Sequence, residues 1–163
     1  SDVPYFLIGG YARGQGRGEI LSPLDDPAEM TILLIIPDFG ISAAEAYREY
    51  DLTIMDKIGD ISDLSGNASV EGKKRRNWFN DLEWGIFAKY PELAEIRDKL
   101  IHFGAEDALM SGSGSVVVGS FSDESVARSV VNAIEIGDWA WRVILTRNVT
   151  RDEYQNSSCH TLD

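Results

Sequence analysis

The stretch SGSGSVVVGSFSDESVARSVVNAIEI, residues 111–136, decides how the rest of the chain is read. Its middle, VVVGSF (116–121), is a β-branched and aromatic run that reads as a strand. The segment after it, SDESVARSVVNAIEI (122–136), carries Val126, Val130 and Ile134, with Ala127 and Val131, at the spacing of one helix face. A strand leading straight into an amphipathic helix is half of a strand–helix–strand unit, and Trp139 to Leu145 supplies the closing strand.

Working back toward the N-terminus, AEDALM (105–110) leads through SGSGS into the central strand. Pro91 suits the first turn of a helix in which Leu93, Ile96 and Leu100 share a face, and Gly104 stops it. Asn80 with Glu83 forms a capping-box pattern that opens a helix through about Ala88. MTILLII (30–36) is a strand ended by Pro37 and the turn residues Asp38 and Gly40, and Ser42 with Glu45 caps the helix that follows. Residues 56–77, with the run KKRR at 73–76, read as a mobile connection. Before all this, VPYFLI (3–8) and GEILSPL (18–24) read as two strands, the first buried, joined by the glycine-rich GGYARGQGRG. The tail after Asn148 is polar and is expected to fray.

From residue 30 onward the order is strand, helix, strand, strand, helix, strand. That order predicts an α+β fold, a ferredoxin-like split βαβ sandwich with an N-terminal hairpin and inserted helices. The expected division is 1–29 for the hairpin region, 30–147 for the sandwich and 148–163 for a polar tail.

Composition sets bounds on function. The chain has 163 residues and a formal net charge of −12, with its acids scattered and not gathered in a tail. Such a balance argues against broad binding to nucleic acid or anionic membranes, and leaves room for an anionic small molecule held by backbone N–H groups. The lone Cys159 rules out an internal disulfide and suits a reducing, cytoplasmic setting. No apolar run is long enough to span a bilayer as a helix. The N-x-[ST] matches at Asn67, Asn148 and Asn156 are then chance. His102 and His160 show no metal-ligand spacing, and no metal site is expected.

Two glycine-rich segments bear on chemistry. GQGRGE (14–19) lacks the Lys-Ser/Thr of a phosphate loop and runs into a strand, so it reads as a hairpin turn. MSGSGSVVVG (110–119) runs from helix into strand, the reverse of a phosphate loop; it is either a plain turn or an N–H-lined nest facing a ligand. Asp2, alone, reads as a solvated acid held at an extended entrance by the Val3–Pro4 step. Tyr47, on the helix after Pro37, reads as core or groove lining. KKRR reads as a solvated run.

Taken in order, four segments resemble the 4-diphosphocytidyl-2-C-methyl-D-erythritol kinase family of the GHMP kinase superfamily. SDVPYFLIGGYARGQGRGEIL is similar to its S-D-V-P-F-F … G-x-G-E-x-L segment, and PDFGISAAEAY to its P-x-x-G-V-S-T-A-E-A-Y. FNDLE matches N-D-L-E, and MSGSGSVVVGSF matches M-S-G-S-G-x-x-V-F-G-x-F. The family's other half, with a Lys near its start and a P-x-x-x-G-L-G-x-G-S-S loop for ATP phosphates, has no counterpart here. The resemblance therefore implies a C-terminal portion, with residues 1–29 as the last part of the N-terminal kinase domain. It implies a cytoplasmic phosphotransferase acting on the alcohol of a cytidyl diphosphate substrate, with ATP and Mg²⁺ used by the full-length enzyme. No cofactor is expected on this portion alone, which is predicted inactive without its missing N-terminal half.

By residue, the resemblance implies Asp2 as the catalytic carboxylate and Tyr47 as the aromatic that faces the cytosine ring. Ser42 and Ala43 fall on the S-T of the substrate-binding turn, Ala43 departing from the usual Thr. Gly112, Ser113 and Gly114 fall on the third superfamily motif, which lines the site. Asn80 and Glu83 are assigned to capping and local structure, not to chemistry. The alternatives are a non-catalytic ferredoxin-like binding module and a GHMP kinase for another alcohol.

Overall fold

The computed structural model describes residues 3–57, 78–135 and 141–158. These divide into two compact units, residues 31–146 in one and residues 1–30 with 147–163 in the other.

The larger unit is built on MTILLII. Its β-branched and leucine side chains form β3 (Thr31–Ile36), where Leu33 and Ile35 are fully buried and their neighbours half-buried. That alternation marks a sheet with one deeply covered face. β3 pairs antiparallel with β5 (Val117–Phe121), and β5 pairs antiparallel with β4 (Asp107–Met110). The sheet order is β4-β5-β3-β6, with β6 at Arg142–Arg147. Among the described residues three helices lie between β3 and β4: α2 (Ala43–Lys57), α3 (Glu83–Lys89) and α4 (Pro91–His102). β5 then fits between β3 and β4, and α5 (Glu124–Glu135) carries the chain from β5 to β6. This is the split βαβ order expected from sequence.

The core follows the periodicities. Leu93, Ile96 and Leu100 of α4 are buried with Ala127 and Val130 of α5, against Leu33, Ile35, Met110, Val117 and Phe121 of the sheet. Val126 and Val131 pack on its margin; the side chain of Ile134 lies outside the described residues. Burying each such aliphatic side chain is worth roughly 1.5–3 kcal/mol. Gly104 ends α4 at φ +101°, the left-handed geometry that a C-terminal glycine supplies without strain.

α2 and α3 cross closely. A Cβ on Gly85 would lie 2.5 Å from the carbonyl of Glu49, so the backbones touch where that glycine stands. Across the contact Lys89 Nζ reaches Glu45 (2.8 Å) and Glu49 (3.0 Å).

The smaller unit corrects two expectations. VPYFLI is not a buried strand but a short helix, α1 (Val3–Ile8), with Val3, Phe6 and Leu7 largely exposed. A six-residue apolar run has no period that separates strand from helix, and Pro4 is tolerated in a first helical turn. The hairpin forms one segment later, β1 (Ala12–Gln15) pairing with β2 (Ile20–Pro23). The described part of the segment after Asn148 is not a frayed tail: Arg151–Ser158 form α6. Its start is a full capping box, with Glu153 N–H donating to Thr150 Oγ1 (3.3 Å) and Thr150 N–H to Glu153 Oε2 (3.0 Å). Asp26 anchors the same turn by accepting Arg151 N–H (2.7 Å) and Tyr11 N–H (2.7 Å); these bonds, Arg151's first, hold its carboxyl below the usual range. At the other end Tyr154 Oη donates to Phe6 O (2.8 Å) and Gln155 to Ile8 O (3.3 Å), so α6 caps the C-terminus of α1.

Candidate functional site

The anticipated residues that lie in the larger unit converge on the N-terminal end of α2. Ser42 precedes that helix, and its Oγ accepts the N–H of Glu45 (3.2 Å), the first half of the expected capping box. The second half is absent, because the Glu45 carboxylate turns away to Lys89 and to Tyr90 Oη (2.8 Å). Those donors, Lys89 foremost, lower the pKa of Glu45, and Glu45 raises that of Lys89. Glu45 and Glu49 lie one turn apart and fix the rotation of α2. Tyr47, two residues from each, therefore points away from α3 and is 60% exposed. Ala43, one turn before Tyr47, shares its face and is also exposed. Tyr47 is thus an exposed ring, not core lining.

The loop from Ser111 to Val116 joins β4 to β5. Its ends meet through Ser111 N–H to Val116 O (2.8 Å), and Gly114 N–H turns back to Ser111 O (3.0 Å). Gly112 and Gly114 take φ of +56° and +98°, conformations in which successive N–H groups can face one side. Ser113 Oγ donates to Ile41 O (3.4 Å) and Ser115 Oγ bonds Phe39 O, which seats the loop against the turn that leads into α2. A Cβ on Gly114 would meet Ile41 Cδ1 at 3.1 Å and Met110 Sδ at 2.8 Å. Gly112, Ser113 and Gly114 are thereby brought beside Ser42 and Ala43. With the Glu45 N–H taken by Ser42 Oγ and the Ala46 N–H by Ser42 O, the N–H groups of Ala43 and Ala44 are the ones at this corner suited to an anionic group.

Two residues beneath the loop, expected to serve capping and local structure, bond to it and to the strand before it. Asn80 Nδ2 donates to Met110 O (2.8 Å) and Gly112 O (2.7 Å), while its Oδ1 accepts Leu82 N–H (3.1 Å). Glu83 Oε1 accepts Met110 N–H (2.7 Å), and Oε2 pairs with Arg97 (3.1 Å), whose guanidinium lies over Phe87 at 4.8 Å. The capping box predicted for this pair does not form: Glu83 reaches the glycine loop in place of the Asn80 N–H. Nothing in local spacing signals a contact between residues 30 apart in sequence.

Asp2 lies outside the described residues, as do KKRR (73–76), Cys159 and His160. The smaller unit has a cleft of about 350 Å³ lined by Tyr5, Phe6, Tyr11, Asp26, Val149 and Tyr154 among others; it contains none of the anticipated site residues. Among the described residues no group of three or more His, Cys, Asp and Glu could hold a metal ion, and no helix is long and apolar enough to cross a membrane.

Comparison with known proteins bears on the same segments. The profile of the family described as GHMP kinases C terminal matches residues 64–137. The 4-diphosphocytidyl-2-C-methyl-D-erythritol kinase of Syntrophomonas wolfei is 44% identical over 129 residues, covering 78% of this chain and 45% of the relative. The kinase of the same name from Thermodesulfovibrio yellowstonii is 37% identical over 152 residues, covering 90% and 53%. A crystal structure of a 4-(cytidine 5'-diphospho)-2C-methyl-D-erythritol kinase aligns with TM-score 0.66 at 26% identity, over 90% of this chain and 53% of that one. Homoserine kinase from Cytophaga hutchinsonii aligns with TM-score 0.57 at 15% identity, over 91% of this chain and 50% of that one, a likeness of fold. The chain spans about half the length of the relatives it matches.

Proposed function

The chain carries a GHMP kinase C-terminal domain, and from that premise we propose that it is the C-terminal portion of an ATP-dependent kinase for 4-diphosphocytidyl-2-C-methyl-D-erythritol. The reaction is transfer of the γ-phosphoryl group of ATP to the 2-hydroxyl, in non-mevalonate isoprenoid synthesis. In this reading residues 1–29 belong to the N-terminal kinase domain and residues 30–147 form the C-terminal domain. The observation that carries the reading is the 44% identity to a kinase of that name, joined to the corner where Ser42, Ala43 and the 112–114 loop meet.

The chemistry divides among this chain's residues. Asp2 accepts the proton of the substrate hydroxyl as its oxygen bonds to the γ-phosphorus and the bond to ADP breaks. Phosphoryl transfer has a loose transition state, so catalysis rests on positioning and charge stabilisation more than on covalent help. The backbone donors of the 112–114 loop and of the α2 N-terminus serve the anionic part of the ligand. Tyr47 offers its exposed face to the cytosine ring, a stacking contact worth about 1–3 kcal/mol. ATP and Mg²⁺ supply the phosphoryl donor and its charge neutralisation in the full-length enzyme. The isolated chain, without the ATP phosphate loop, is inactive.

The test is turnover by the full-length protein offered the cytidyl substrate, homoserine or phosphomevalonate with ATP. Preference for the cytidyl alcohol supports the proposal. Preference for either competitor overturns the substrate, and no transfer to any of them favours the binding-module alternative.

A further inference from the structure

We infer that Asn80 and Glu83 are positioning residues that set the orientation of the glycine loop and aim the Ser113 N–H at an anionic group of the ligand. The inference rests on the loop being part of the substrate site, as proposed above, and adds to it the residues that control the loop.

The amide of Asn80 joins three backbone groups. Its two N–H bonds are spent on the carbonyls of Met110 and Gly112, at 2.8 and 2.7 Å, and its oxygen on the Leu82 N–H. The reverse orientation of the amide would set its oxygen against two carbonyl oxygens and its NH₂ against an N–H. The network therefore fixes which end is which.

Two peptide planes follow from those bonds. In a trans peptide the C=O and the next N–H point in opposite directions. The Met110 carbonyl faces Asn80, and the Ser111 N–H on its far side meets Val116 O (2.8 Å). The Gly112 carbonyl also faces Asn80, so the Ser113 N–H points the other way. Among the described residues that N–H meets no acceptor, while the Ser113 hydroxyl is held at Ile41 O. The open donor thus stands beside the α2 N-terminus, where further N–H groups await a partner. A Cβ at Gly112 would meet nothing within 4 Å, so the loop is uncrowded at that residue.

Glu83 performs the matching task one residue earlier. Its carboxylate holds the Met110 N–H at 2.7 Å and is itself held by Arg97 at 3.1 Å, with both side chains mostly buried. The last residue of β4 is thus gripped at its N–H by Glu83 and at its carbonyl by Asn80. Without those grips two left-handed glycines leave the Gly112–Ser113 plane free to turn, and the Ser113 N–H loses its aim.

The experiment uses the full-length protein. Asn80→Asp keeps the size of the side chain and replaces two donors by acceptors; Asn80→Ala removes them. Both are expected to lower kcat/KM for the cytidyl substrate by about 10- to 10²-fold, chiefly through a raised KM with the KM for ATP little changed, the signature of a lost contact to the bound ligand. Glu83→Gln keeps an acceptor for Met110 N–H and is expected to retain most activity that Glu83→Ala loses. A second readout needs no turnover: the ¹⁵N–¹H resonance of Ser113 is expected to move when inorganic pyrophosphate is titrated into the parent, and to stay still in Asn80→Asp. Parent-like kcat/KM for the cytidyl substrate in a folded Asn80→Asp overturns the inference, as does a Ser113 amide indifferent to pyrophosphate in the parent. A parent that moves Ser113 with pyrophosphate but turns over no cytidyl substrate, with Asn80→Asp silent, removes the substrate reading and supports the clamp.

Discussion

The ring of Tyr154 occupies the space that a side chain on Gly9 would need: a Cβ built there falls 2.2 Å from Tyr154 Cδ1, at a backbone φ of +67°. This pairing joins the end of α1 to the last helix of the chain. Gly9→Ala meets both the ring and a left-handed conformation that costs an L residue roughly 1–2 kcal/mol. The expected outcome is loss of the Tyr154 bond to Phe6 O and release of α6. Limited proteolysis measures it, by faster cleavage within residues 147–158; cleavage at the parent rate would contradict the contact.

Gly85→Ala tests the crossing of α2 and α3. The added methyl meets the backbone of Glu49 and Tyr50, which cannot rotate away as a side chain would. Overpacking of this kind costs about 1–3 kcal/mol. Gly40 has no atom within 4 Å of a Cβ, so Gly40→Ala should stay within about 0.5 kcal/mol of the parent. Urea denaturation of both variants reads the difference, and equal midpoints would deny the close approach.

The acid limb of stability should carry a mark from Glu153. Arg147 binds it through both oxygens and Thr150 donates to it, which lowers its pKa from 4.5 to about 2. A carboxyl depressed in the folded state contributes stability that is complete above its ordinary pKa and is lost as pH falls from about 4.5 toward 2. Glu153→Gln should be less stable than the parent at pH 7, with the gap closing as pH drops through that window. Because the pair is exposed, added salt should narrow the gap as well. Thermal midpoints at three pH values check this, and a gap that widens toward acid pH would reverse the assignment.

Tyr47→Ala removes the exposed ring from α2 without touching Glu45 or Glu49. Loss of a stack worth about 1–3 kcal/mol should raise the KM for the cytidyl substrate by about 5- to 150-fold. The KM for ATP should not follow. An unchanged KM for the cytidyl substrate would take Tyr47 out of the site.

Much of this molecule could be read before any coordinates. The helices with a true 3.6-residue period, α4 and α5, appear where Leu93, Ile96 and Leu100 or Val126, Ala127 and Val130 predict them. The strands β3 and β5 follow from β-branched runs bounded by turn residues. What failed had no period to read: VPYFLI is too short to distinguish strand from helix, and it is fixed as α1 by bonds from Tyr154 and Gln155, far along the chain. The α6 helix was legible in principle, since Thr150 with Glu153 is a capping box, but its polar composition concealed it. In the candidate site the glycine loop and the Ser42 cap were visible as motifs. The grip of Asn80 and Glu83 on that loop was not, because a hydrogen bond across 30 residues leaves no trace in local spacing.

Whether residue 2 supplies the catalytic carboxylate of a kinase is decided by single-turnover phosphoryl transfer. Full-length parent and Asp2→Asn are mixed with γ-labelled ATP and the cytidyl alcohol, and labelled product is followed. Transfer by the parent to the 2-hydroxyl is expected, with a loss of about 10²-fold or more in rate for Asp2→Asn, the usual contribution of a positioned general base. Transfer at the parent rate by Asp2→Asn would contradict that role.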